Sequence, residues 1–163
     1  MNILDKLKIY IENNIEHEQL FRACKAKSFE SYDFINLEES SLDQFIDNNK
    51  NENDFQKLLF SFIDNKNLKD SDVYNKVNID RRTFSKIRNN PEYHPSKNTV
   101  ILLGLSLELT EKEIEKLLES ASYSLPKNNN RDLIIRFCFI EKIYNPIQVN
   151  ELLDNYKCQL LEK

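Results

Sequence analysis

Hydrophobic residues recur every three or four positions along most of this chain, which is the spacing of an amphipathic α-helix. Near the start, Leu4, Leu7, Ile11 and Ile15 fall on one helical face, so the pattern predicts a helix over residues 1 to about 26. No segment alternates between apolar and polar residues for long enough to predict a β-strand. The sequence therefore predicts an all-α fold with about eight helices.

The middle of the chain, residues 53–125, has the most regular pattern. It predicts helices at about 54–65, 70–77, 80–89, 96–108 and 111–122, packed around Phe62, Val73, Phe84, Ile87 and Leu103. Asp80 is a good N-cap for the third helix, and Thr110 with Glu113 forms a capping box for the fifth. The fourth is apolar almost all round, which predicts burial. Gly104, the one glycine of the chain, lies inside it and indicates a close approach of two helices.

The flanking segments differ from this middle part. Residues 1–52 are predicted to be an N-terminal helical extension, with a short helix around Leu42, Phe45 and Ile46 and a polar linker at 48–53. Residues 126–163 are predicted to be a C-terminal helical pair that packs on the middle domain, with Pro146 opening its second helix. Its apolar positions, which we expect to be covered, are Leu133, Phe137 and Ile140.

A short helix, a turn and a second helix follow one another at residues 70–89. The second helix reads Asp80-Arg81-Arg82-Thr83-Phe84-Ser85-Lys86-Ile87-Arg88, and Pro95-Ser96 opens the next one. This order resembles the Cro/λ-repressor-like helix-turn-helix proteins, also called the XRE family. The resemblance implies a λ-repressor-like five-helix domain with a recognition helix at 80–89. It also implies a non-enzymatic, DNA-binding transcriptional regulator of bacterial or phage origin, whose partner is double-stranded DNA.

A closer resemblance continues through Arg131-Asp132-Leu133-Ile134-Ile135 to about residue 161. It is similar to a variant helix-turn-helix module that is appended to bacterial macro-domain and defence-associated proteins. About 52 residues precede the module here, too few for a macro domain, so the resemblance implies no enzymatic activity. The alternative function is a protein-interaction adaptor or regulator in a bacterial anti-phage defence system, without DNA binding.

Two positions depart from the family pattern. Asn78 occupies the turn position where the family usually has glycine, and asparagine tolerates the left-handed conformation better than other residues. Asp70 begins the first helix of the motif, where DNA-binding members often place a neutral phosphate contact. A carboxylate beside a phosphate is repulsive, so Asp70 favours the adaptor over the DNA-binding protein.

Charge is distributed unevenly along the chain. The net charge is −4, but residues 71–109 carry six basic and four acidic side chains. A local basic patch on an acidic protein is typical of a small DNA-binding face, although a solvated helix face gives the same pattern. The candidate DNA-binding residues are Arg81, Arg82, Ser85, Lys86, Arg88, Asn89 and Lys97.

Each residue type in this set suits a different contact. Arginine can donate two hydrogen bonds to guanine, and serine or asparagine can contact bases or phosphates. Lys86 and Arg88 are expected to flank the groove and reach the DNA backbone. Because Cro-like proteins generally bind DNA as dimers, a homodimer is expected, formed through the N-terminal helix or the C-terminal helices.

The sequence offers little support for catalysis, and no catalytic, cofactor-binding or metal-binding residue is predicted. Cys24, Cys138 and Cys158 are odd in number and far apart, which argues against a disulfide framework. His17 and His94 share no metal-ligand spacing with each other or with a cysteine. Without a signal-peptide pattern or an apolar run of about 20 residues, the protein is expected to be cytoplasmic.

Overall fold

A computed structural model describes residues 2–25 and 55–161 of the chain, with side chains at 2–14 and 55–161. The described residues form eight α-helices and no strand, which confirms the predicted all-α class. The helices are α1 (Ile3–Lys25), α2 (Phe55–Asn65), α3 (Asp70–Lys76), α4 (Arg81–Asn89), α5 (Lys97–Ser106), α6 (Glu111–Ser120), α7 (Asn130–Ile140) and α8 (Pro146–Asn155). None of them is long and apolar enough to cross a membrane. The predicted short helix around Leu42 and the linker at 48–53 lie outside the described residues.

The helices begin where capping residues predict. The side chain of Ser96 accepts a hydrogen bond from the backbone N–H of Thr99 at the start of α5. At the start of α6, the backbone N–H and the hydroxyl of Thr110 both donate to the Glu113 carboxylate at 2.7 Å. Pro146 is the first residue of α8, where its missing N–H costs no helical hydrogen bond.

Six helices end in the same way, without glycine. A residue with positive φ follows each helix, and the next residue donates its backbone N–H to the carbonyl five positions back, as in a Schellman motif. The positive-φ residues are Asn67, Asn78, Glu108, Ser122, Lys142 and Lys157. Glu108, at φ 50°, explains why α5 ends at Ser106 rather than near 108, which corrects the predicted boundary. Leu109 then bonds back to the carbonyl of Gly104 at 3.1 Å.

The centre of the fold is α5, whose residues from Thr99 to Ser106 are all buried. It packs against α3 on one side and α6 on another. A Cβ atom on Gly104 would collide with Cδ1 of Ile114 and lie 3.3 Å from Cζ of Phe139. Glycine therefore permits the close approach of helices that the sequence predicts here.

The C-terminal helices continue this packing, because α7 contacts α6, α8 and α1. Leu7 and Ile11 of α1 are buried, and the Tyr10 ring centroid lies 5.5 Å from that of Phe137. Lys6 also forms a 3.0 Å ion pair with Glu141 just after α7. The N-terminal helix thus lies on the C-terminal helices of the same chain.

Of the predicted core positions, Ile140 is wrong and Phe62 lies at the edge of the core. Ile140, the last residue of α7, is 41% exposed. Phe62 is only partly buried. The buried stripe of α2 consists of Phe55, Leu59 and Ile63, and it leaves Phe62 at its margin.

Candidate nucleic-acid interface

The turn between α3 and α4 fixes where α4 begins. Asn78 has φ 55°, and the next residue, Ile79, is buried and donates its N–H to the Tyr74 carbonyl at 2.9 Å. Asp80 then caps α4, accepting from the Thr83 N–H at 2.9 Å and the Thr83 hydroxyl at 2.6 Å. These hydrogen bonds from Thr83 hold the pKa of Asp80 below its usual value. The predicted left-handed turn and N-cap are therefore both present.

One face of α4 anchors the helix to the core. Phe84 and Ile87 are buried, as the spacing predicts. The Phe84 ring packs against those of Phe60 on α2 and Tyr74 on α3, with centroid distances of 6.1 and 5.4 Å. The buried face of α4 thus contacts one aromatic ring on each of two other helices.

The opposite face of α4 is exposed and carries five of the seven candidate residues. At 100° per residue, these five side chains cover one continuous arc of the helix. They are Arg81, Arg82, Ser85, Lys86 and Asn89. The Asn89 amide donates to the Ser85 hydroxyl at 3.0 Å, and the Lys86 ammonium lies 5.9 Å from the centroid of the Tyr93 ring. No ion pair joins Arg81 or Arg82 to another described side chain.

Arg88 has a different environment. Its guanidinium forms a 2.5 Å ion pair with Asp70, the first residue of α3, and lies 3.9 Å from the centroid of the Phe60 ring. The side-chain amide of Gln56 donates to the carbonyls of Ile87 and Arg88 at the end of α4. The sequence predicts that Arg88 reaches the DNA backbone, but in the structure its charged group is bound by other groups of the same protein.

Lys97 lies at the start of α5. Its ammonium forms a 2.7 Å ion pair with Asp132 on α7, and Asp132 is buried. The other oxygen of Asp132 accepts from the Asn129 side chain at 2.8 Å. The ammonium of Lys97 is therefore bound by α7 rather than by an α4 residue, and it joins α5 to α7.

A cleft of about 310 Å³ separates the start of α3 from the exposed side of α4. It is lined by Asp70, Ser71, Tyr74, Arg81, Phe84, Ser85, Arg88 and Asn89. Asp72 and Glu92, two further acidic residues near the interface, are exposed. The carboxylate inside the cleft is that of Asp70, and it is paired with Arg88.

The other chemical groups considered from the sequence do not assemble into a site. Among the residues that the structure describes, no group of three or more His, Cys, Asp or Glu side chains could hold a metal ion. The His94 ring packs on Tyr123, whose hydroxyl lies 3.3 Å from Nδ1. Cys138 is a buried free thiol, and burial raises its pKa to about 12. The side chains of His17 and Cys24 lie outside the described residues.

Sequence reasoning missed the two buried charges of α7, Asp132 and Arg136. Arg136 donates to the carboxylates of Glu111 and Glu115 on α6 and to the carbonyl of Leu125, so it fastens α7 to α6. Arg136 interrupts an otherwise apolar run at 133–139, and Asp132 directly precedes that run, which is the signal that could have revealed them. A charged residue inside such a run is buried only when it has a partner.

No family model matches the chain, and neither does any curated protein or solved structure with which it was compared.

Proposed function

We propose that this protein binds double-stranded DNA by inserting α4 into the major groove, and that it acts as a non-enzymatic regulator of transcription in the cytoplasm. The observation that supports the proposal is the exposed arc of α4, which carries three cations, one hydroxyl and one amide. The opposite face of the helix is buried in the core through Phe84 and Ile87. The major groove is about 12 Å wide and admits one α-helix.

The three cations of this arc are available to a DNA ligand. Arg81, Arg82 and Lys86 are exposed, and no described carboxylate forms an ion pair with them. The nearby carboxylate of Asp80 accepts hydrogen bonds from Thr83 at the helix cap. The α4 surface therefore offers positive charge to the phosphates on either side of a groove, although the whole chain is acidic.

The residues divide by the contacts that their chemistry favours. Arg82, in the first turn of α4, is assigned to base recognition, because an arginine there can donate two hydrogen bonds to guanine. Ser85 and Asn89 contact bases or phosphates, and Lys86 contacts the backbone. Arg88 and Lys97 are left out of the direct contacts, since Asp70 and Asp132 bind their charged groups.

Two half-sites are the usual target of helix-turn-helix proteins, so the proposal includes a homodimer formed through α1 or through α7 and α8. Sedimentation velocity, with and without duplex DNA, measures this stoichiometry. A complex of two chains per duplex supports the dimer, and a complex of one chain per duplex contradicts it.

Fluorescence anisotropy with a short random-sequence duplex tests DNA binding. On a duplex without the preferred bases, Arg82 contacts phosphate as Arg81 and Lys86 do. Three such contacts give a salt slope of about −2.7, so affinity should fall roughly 40-fold between 50 and 200 mM salt. The triple variant Arg81→Ala, Arg82→Ala, Lys86→Ala should lose binding at low salt. The matched control removes three exposed lysines elsewhere, Lys112, Lys116 and Lys127, and should bind like the wild type.

Two results would contradict the proposal. One is the absence of binding at low salt with the wild-type protein at tens of micromolar. The other is equal loss of binding in the α4 variant and the lysine control, since that would assign binding to net charge rather than to α4.

The second candidate function is a protein-interaction adaptor, including one in an anti-phage defence system. An apolar groove between the start of α1 and α8 favours it, with Ile3, Leu4, Ile143 and Leu152 in its lining. Ile3 and Leu4 are each 37% exposed there. This candidate replaces the first one if the wild-type protein fails to bind DNA.

A further inference from the structure

The ion pair between Asp70 and Arg88 lies at the margin of the proposed DNA surface. Asp70 begins α3, and Arg88 lies in the last turn of α4. Their charged atoms are 2.5 Å apart, and both side chains line the cleft that also contains Arg81, Ser85 and Asn89. A DNA strand that follows the exposed arc of α4 would pass this cleft.

Arg88 is held in this position by more than the carboxylate. Its guanidinium lies over the Phe60 ring, with 3.9 Å from its central carbon to the ring centroid. The Gln56 amide also fixes the backbone carbonyl of Arg88. A phosphate that recruits Arg88 must therefore displace Asp70 and move the guanidinium from the ring.

We propose that Asp70 is a specificity-determining residue, which limits binding to DNA of unrelated sequence by withholding Arg88 from phosphates. The inference rests on the proposed function. Binding without sequence preference is almost wholly electrostatic, so each cation that is removed from the phosphate contacts weakens it. Base contacts through Arg82, Ser85 and Asn89 then contribute a larger share of the affinity for a preferred site.

Removing the negative charge of Asp70 would leave Arg88 without its ion-pair partner. With Asp70 neutralised, Arg88 becomes a fourth cation beside Arg81, Arg82 and Lys86, and the local repulsion of phosphate disappears. The salt slope then increases in magnitude by about 0.9, the value for one added phosphate contact. A purely structural ion pair would change the unfolding temperature and leave this slope as it is.

The test compares Asp70→Asn with Asp72→Asn, which removes one acidic charge from the same helix at an exposed position that is not paired with Arg88. Anisotropy with a random duplex is measured between 50 and 200 mM salt. When salt is raised from 50 to 200 mM, the affinity of Asp70→Asn should fall about 3.5-fold further than that of the wild type. This difference is what one extra phosphate contact requires. Asp72→Asn should keep the wild-type slope.

A second pair of variants assigns the added contact to Arg88. The double variant Asp70→Asn, Arg88→Ala should return to the wild-type slope, and Arg88→Ala alone should keep that slope. Thermal unfolding of each variant verifies that it is folded, and Asp70→Ser provides a second neutral side chain at the same position.

Three outcomes separate this inference from the proposed function. If the wild type binds through α4 and Asp70→Asn has the wild-type slope, the specificity role is wrong and DNA binding stands. If Arg88→Ala alone flattens the slope by about one unit, Arg88 already contacts phosphate and the inference also fails. If neither the wild type nor Asp70→Asn binds DNA, both proposals fail together.

Discussion

The hydroxyl of Ser106 on α5 donates a 2.6 Å hydrogen bond to the backbone carbonyl of Val73 on α3, and both residues are buried. α3 ends at Lys76, and the following residue, Val77, donates its N–H to Asn75 rather than to Val73. Ser106 therefore gives the buried Val73 carbonyl a side-chain donor, and this hydrogen bond ties α3 to the central helix.

Replacing Ser106 with alanine should destabilise the protein by about 1–3 kcal/mol, because the Val73 carbonyl stays buried without this donor. Ser124→Ala is the control, since Ser124 is exposed and should change stability by less than about 0.5 kcal/mol. Urea unfolding at neutral pH measures both. Equal midpoints for the two variants would show that the Ser106 bond adds no stability.

Gly104→Ala should also destabilise the protein, although alanine is favoured over glycine inside a helix by about 1 kcal/mol. The added methyl group meets Cδ1 of Ile114 in the tight contact between α5 and α6. Overpacking of this kind costs roughly 1–3 kcal/mol.

The double variant Gly104→Ala, Ile114→Val serves as the control for this contact, because valine lacks the Cδ1 atom that the new methyl group meets. It should be more stable than Gly104→Ala alone in the same urea experiment. A gain in stability from Gly104→Ala by itself would mean that α5 and α6 lie further apart than described.

Glycine should instead stabilise the chain at the ends of the helices. Ser122 and Lys142 have φ 58° after α6 and α7, a conformation that costs an ordinary residue roughly 1 kcal/mol. Ser122→Gly and Lys142→Gly should therefore each raise the free energy of unfolding by a few tenths to about 1 kcal/mol. Lys116→Gly, inside α6, should lower the free energy of unfolding by about 1 kcal/mol, and urea unfolding measures all three variants. If Ser122→Gly and Lys142→Gly destabilise the protein as Lys116→Gly does, these residues do not have the left-handed conformation.

The buried thiol of Cys138 should resist modification in the folded protein. Burial raises its pKa to about 12, so very little of the reactive thiolate is present at pH 8. In a Cys24→Ser, Cys158→Ser background, Ellman's reagent should react only after urea unfolds the chain. The unfolded thiol ionises at a lower pH than the buried one. The free energy of unfolding should therefore fall as pH rises above about 9. Rapid modification without urea would place Cys138 near solvent.

The sequence predicts the beginnings of these helices better than their ends. A cap such as Asp80, Ser96 or Thr110 acts on a backbone N–H within three residues, so it can be identified locally. The ends depend on residues such as Glu108 and Lys142 entering the left-handed region, which their side chains do not favour. That conformation is set by the packing of neighbouring apolar residues and has no local signal.

For the candidate interface, the sequence predicts the exposed face of α4 but not the ion pairs of its basic residues. Periodicity identifies the inward Phe84 and Ile87 and thereby the outward arc of α4. It does not identify the ion pairs of Arg88 and Lys97, whose partners lie 18 and 35 positions away along the chain. Such pairs follow from the tertiary arrangement of α3, α4, α5 and α7, so a count of basic residues overestimates the cations that are available to DNA.

DNA binding through α4 can be mapped residue by residue with NMR chemical shifts of the ¹⁵N-labelled protein during titration with a short duplex at low salt. The backbone amides of Arg81–Asn89 should shift most, together with those of Asp70 and Ser71 at the cleft. Amides of α8 should stay unchanged unless a dimer forms there. A spectrum in which α4 does not respond, while the duplex is bound elsewhere or not at all, would contradict DNA binding through α4.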